Sequence, residues 1–91
     1  MHINVRHFTF AEWLQRVLQE HKTKAIEFSI TSNISRSSIS RYLSDERVPK
    51  PYQQELIIKA LCKMGGYDPI DIGNKVRFHC HISHMERLKK K

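Results

Sequence analysis

Glycine and proline are scarce in this chain, at 3 each among 91 residues, which argues against a low-complexity, disordered or collagen-like polymer. No apolar run approaches the 18 or so residues of a membrane-spanning helix. The first ten residues, MHINVRHFTF, lack the continuous apolar segment of a signal peptide, so a cytoplasmic protein with no membrane partner is expected. Cysteine is also rare. Cys62 and Cys80 form neither a C-x-x-C pair nor a disulfide framework, which fits reduced thiols. There is no phosphate-cradling glycine loop and no paired-carboxylate or nucleophile motif, so catalysis is not expected and no cofactor is implied. Acidic residues are in deficit as well: 9 against 16 Lys plus Arg, a net charge of +7. A small basic domain gathers polyanions around itself, and nucleic acid is the commonest of these.

What is present suits one soluble domain spanning residues 1–91, with 40% hydrophobic and 27% charged residues. Ile3 and Val5, alternating with the polar Asn4 and Arg6, predict a short N-terminal strand. Thr9-Phe10-Ala11-Glu12 has the form of a capping box, so a helix should begin at Phe10. Phe10, Trp13, Leu14, Val17 and Leu18 then make one apolar stripe to about His21. Ile26, Phe28 and Ile30 also fit alternation, but the neighbouring segments demand a short element, so a shorter helix is expected over Ala25 to Thr31. Ser32-Asn33 breaks it, Asn being one of the few residues that tolerates a left-handed backbone.

Residues 35–44 raise the functional question, with five serines and two arginines crowded between Ser35 and Asp45. Ser35 is an N-cap candidate, and Ile39, Tyr42 and Leu43 at i, i+3 and i+4 share one side of a helix. At roughly 100° per residue, Arg36, Ser37, Ser40 and Arg41 fall within an arc of about 140° turned away from them. That arc is a free polar face. Pro51 suits the first turn of a fourth helix, whose stripe of Leu56, Ile57, Ala60, Leu61 and Met64 ends at Gly65-Gly66.

Beyond Asp68-Pro69, a candidate cap for one short turn, the pattern changes. Val76, Phe78, Cys80 and Ile82 alternate with Arg77, His79 and His81, which predicts a half-buried strand over residues 75–83 followed by a frayed basic tail, residues 86–91. Such a strand has two fates open to it: its edge pairs with the N-terminal strand, or with a second copy of the chain. His79, Cys80, His81 and His84 are ligand types for zinc or copper, but in a strand His79 and His81 face away from Cys80. Strand-surface histidines and no metal are therefore expected.

The order of short helix, break at Asn33, polar-faced helix, proline-containing loop and amphipathic helix resembles the helix-turn-helix of phage repressor and Cro-like (lambda-repressor-like) regulators. Residues 10–64 cover that family's helical core. Phe28-Ser29, Asn33-Ile34, Ile39 and Pro49 match its pattern, while Ser29, Asn33 and Ser32 replace its usual alanine, glycine and apolar residue. The fold class this implies is mainly α, with four or five helices, here extended by a short N-terminal strand and a C-terminal strand. The implied function is sequence-specific binding of double-stranded DNA by a transcriptional regulator, as a homodimer reading two half-sites. Arg36, Ser37, Ser40 and Arg41 would then meet base edges, and Ser38, Lys22, Lys24, Arg47 and Lys50 would meet phosphates. Val76, Phe78, Cys80 and Ile82 are the dimerisation candidates. The competing reading is an adaptor or antirepressor that uses the same motif to grip a protein.

Overall fold

The computed structural model describes residues 7–89 and contains five helices: α1 (Phe10–Glu20), α2 (Ala25–Ser32), α3 (Arg36–Leu43), α4 (Pro51–Gly65) and α5 (Pro69–Lys89). The Ile3–Arg6 strand expectation lies outside the described residues. The capping box forms as its spacing demands. Glu12 N–H donates to Thr9 Oγ1 at 3.3 Å, and Glu12 Oε1 accepts from Thr9 N–H at 3.0 Å. α1 ends in a Schellman motif, with Thr23 N–H bonded to Leu18 O and Lys22 N–H to Gln19 O, and it places Lys22 at φ 53°. α2 stops where Asn33 turns left-handed at φ 59°.

One apolar cluster draws on every helix: Phe10, Trp13, Leu14, Val17 and Leu18 from α1, Phe28 from α2, Ile39 and Tyr42 from α3, Ile57, Ile58 and Leu61 from α4, and Ile72, Val76 and Cys80 from α5. α5 packs on α4 and α1, α1 also packs on α3, and α2 packs on both α3 and α4. The serine at position 32 is buried, and its hydroxyl accepts from Ile34 N–H at 3.3 Å, which helps to satisfy the turn between α2 and α3.

The expected strand over residues 75–83 is not there; the segment belongs to the 21-residue α5, and among the described residues no strand occurs. The physical reason is that the core-facing positions of α5 are Ile72, Gly73, Val76, Cys80 and Ser83. Positions 72, 76, 80 and 83 follow helical spacing, but two of them carry small or polar side chains, so a count of bulky apolar residues sees alternation instead. Gly73 lies inside the helix and is buried beside Ile58 and Arg77. Residues 86–89, expected to fray, continue the same helix. Val76 and Cys80 are thus core residues at 0% and 2% exposure and are closed to a partner, whereas Phe78 is exposed and Ile82 half-buried.

α5 also supplies polar ties to distant parts of the chain. Ser83 Oγ accepts from Phe10 N–H at 2.8 Å, satisfying one of the amides that the first turn of α1 leaves without an intrahelical partner. Arg87 Nη2 donates to Asp45 O at 2.9 Å, fastening the exit of α3 to the last turns of α5.

Candidate nucleic-acid interface

An eight-residue helix such as α3 is too short to hold its shape alone in water. Its termini and its inner face explain how it holds here. At the N-terminus Ser35 Oγ accepts from Ser38 N–H at 3.2 Å. At the C-terminus the last four carbonyls are all used: Ser40 O takes Ser44 N–H, Arg41 O takes Glu46 N–H, Tyr42 O takes Asp45 N–H, and Leu43 O takes Gln15 Nε2 from α1 at 2.6 Å. The second and third of these form another Schellman motif, with Asp45 left-handed at φ 64°. Ile39 and Tyr42 anchor the helix from behind at 0% and 1% exposure. Burial raises the pKa of the Tyr42 phenol, against the opposing pull of Arg47 and a hydrogen bond with Gln53, so the ring stays neutral.

The opposite side of α3 is open. Arg36, Ser37, Ser40 and Arg41 are exposed, and Ser38 is half-buried. Ser35 Oγ donates to Ser38 Oγ at 2.9 Å and lies 3.3 Å from Ser37 Oγ, so the three hydroxyls at the start of the helix form one small network. Lys22 and Lys24 are exposed in the loop before α2, and Arg47 and Lys50 in the loop before α4. Among the described residues no ion pair ties any of these six basic side chains to a carboxylate; the two present, Lys75–Asp71 and Arg77–Glu55, lie on α5 and between α5 and α4. The guanidiniums of Arg36 and Arg41 therefore keep their donors for a ligand.

Compared with known proteins, the chain matches no family model, no curated protein and no solved structure.

The histidine cluster does not assemble. His79 stacks on Trp13 with ring centroids 5.2 Å apart and pairs through Nδ1 with Phe8 O at 2.7 Å, while His81 and His84 lie exposed on other sides of α5. Among the described residues no three His, Cys, Asp or Glu side chains are placed to share a metal ion. Cys80 is buried at 2% exposure, and burial pushes its thiol up to about 12. Among the described residues, no helix is long and apolar enough to cross a membrane.

Sequence reasoning missed three residues that bear on this face. Gln15 and Arg87 hold the exit of α3, and His84 joins Arg87 beside the loop before α4. Gln15 lies opposite the apolar stripe of α1, where nothing in the pattern distinguishes it from any solvated amide. Arg87 and His84 were hidden by the strand-and-tail reading of residues 75–91; a helical count through Ile72, Val76, Cys80 and Ser83 exposes them.

Proposed function

We propose that the protein is a lambda-repressor-like helix-turn-helix regulator that binds double-stranded DNA by laying α3 in the major groove, where each base pair offers a distinct set of donors, acceptors and methyl groups. The observation that carries this reading is the two-sidedness of α3. Ile39 and Tyr42 fix it in the core, and Arg36, Ser37, Ser40 and Arg41 stand in solvent with no acidic partner among the described residues. Arg36 and Arg41 offer paired donors to guanine edges, and the short serines let the backbone come close to the bases. Lys22, Lys24, Arg47, Lys50 and Ser38 neutralise or hydrogen-bond phosphates on the flanks.

One eight-residue helix spans only a few base pairs, so the reading includes a homodimer on two half-sites about one helical turn apart. Pairing by a strand edge is replaced by pairing through α5. Phe78, Ile82 and Met85 follow at i, i+4 and i+7, with Phe78 42% and Met85 44% exposed, and they form an outward apolar stripe.

The test is a selection of bound fragments from random DNA, followed by fluorescence anisotropy on the selected duplex over a range of salt. A regulator of this kind loses affinity steeply, with a slope of about −0.9 in log–log terms for each phosphate contacted. Arg36→Ala should cost about 1–3 kcal/mol and relax preference at one base position, while Lys24→Ala should weaken all sequences alike. Equal losses for Arg36→Ala on selected and random duplex would refute its role.

A second reading, a protein-binding adaptor, is favoured by the exposed Ile26 and Ile30, one turn apart on α2. It requires that no duplex be bound specifically at any salt.

A further inference from the structure

The two flanks of the α3 exit differ in charge. On one flank a cavity of about 400 Å³ is lined by Glu12, Asp45 and Glu86 among others. On the other, the last turns of α5 meet the loop before α4 around a cavity of about 590 Å³, whose lining includes Arg47, Lys50, Tyr52, His84 and Arg87 and, among the described residues, no carboxylate. Neighbouring residues of α5, Glu86 and Arg87, thus serve opposite flanks. A polyanion approaching the end of α3 is drawn to the second side.

The basic cavity lies next to the end of α3, since Arg47 of its lining donates its backbone N–H to Arg41 O at 3.3 Å. Its cations are also uncommitted. Among the described residues none of Arg47, Lys50 and Arg87 has an ion-pair partner, and Arg87 commits only Nη2, to the Asp45 carbonyl. Tyr52 is 75% exposed and brings a phenol hydroxyl, one of the side-chain donors that suit phosphate oxygens.

We propose that this cavity receives a backbone phosphate of the duplex, so that the end of α5, through His84 and Arg87, belongs to the nucleic-acid interface; the proposal rests on the reading of α3 as the groove-binding helix. Arg87 then has two tasks, holding the α3 exit with one N–H and meeting the phosphate with the others. His84 and Tyr52 complete the wall that the loop alone leaves open. This contact carries no sequence information and fixes the register in which α3 lies in the groove.

The experiment compares the whole chain with His84→Glu, which leaves every hydrogen bond described above intact, and with Arg87→Gln and Arg87→Lys. Each is titrated by anisotropy against the selected and a random duplex at several salt concentrations, with circular dichroism melts to check the fold. Arg87→Gln should weaken both duplexes by the same factor and flatten the salt slope by about 0.9, as the loss of one phosphate contact requires, with Arg87→Lys recovering most of it, and His84→Glu, which sets a carboxylate against the phosphate, should weaken both duplexes as well. If the parent protein binds steeply with salt and Arg36→Ala loses specificity, yet His84→Glu and Arg87→Gln leave affinity and slope unchanged, the cavity proposal fails and the α3 reading stands. If the parent binds no duplex, both fail. Saturable shifts of the His84 and Tyr52 ring resonances with inorganic phosphate alone, at concentrations that leave the duplex undisturbed, would make this a small-anion site and overturn the assignment to DNA.

Discussion

Replacing Ser83 by alanine tests the placement of α5 through a single atom. The hydroxyl of Ser83 is the acceptor for Phe10 N–H at 2.8 Å, and both residues are almost fully buried, at 2% and 1% exposure. Water therefore has no room to replace it. An orphaned buried N–H costs about 1–3 kcal/mol, and alanine returns about 0.5 kcal/mol through its better helix propensity. The net loss is about 0.5–2.5 kcal/mol. For a chain of this size that corresponds to a fall of roughly 2–20 °C in Tm. Thermal and urea denaturation followed by circular dichroism at 222 nm would read it, with His81→Ala as the control. His81 lies on the exposed side of the same helix, where a substitution should change stability by no more than about 0.5 kcal/mol. If Ser83→Ala and His81→Ala melt together, the tie between α5 and the start of α1 is wrong.

Other consequences can be checked with the same equipment. Asn33 stands at φ 59°, so Asn33→Gly should be tolerated and Asn33→Val should lose about 1–2 kcal/mol, measured by urea midpoints. Because burial raises the Cys80 thiol to about 12, the unfolded chain sheds this proton near pH 9 while the folded chain keeps it. Stability must then fall as pH rises from about 9 towards 12, by up to about 1.4 kcal/mol per pH unit. Tyr42, also raised by burial, acts in the same sense, so Cys80→Ala should flatten the decline without abolishing it; an unchanged slope refutes the assignment. Phe78→Glu should shift sedimentation equilibrium towards monomer and weaken binding to a paired half-site more than to a single one.

The first four helices were legible because each is announced by local chemistry. Thr9 and Glu12 cap α1, Asn33 supplies the left-handed turn, Ser35 caps α3, and Pro51 and Gly66 bracket α4. The polar face of α3 followed from spacing alone, and Arg36, Ser37, Ser40 and Arg41 are exposed as that spacing requires. α5 was illegible for a complementary reason. Its buried positions include Gly73, Cys80 and Ser83, and its bulky residues Ile70, Phe78, Met85 and Leu88 are exposed, so hydrophobicity points away from the core. Small size at Gly73 and a hydrogen bond at Ser83 give those positions their value, and neither registers as apolar periodicity. The cost of that misreading was the flank of the site built by His84 and Arg87.

The tie between Ser83 and Phe10 spans 73 positions of the chain, and the clasp from Arg87 to Asp45 spans 42. A ribosome makes α3 well before it makes the residues that fasten its exit. Until α5 has emerged, the nascent protein carries its arginine-and-serine helix without that clasp, and loop-closure entropy must be met before either tie contributes. The exit of α3 is therefore fastened last, with the docking of the fifth helix.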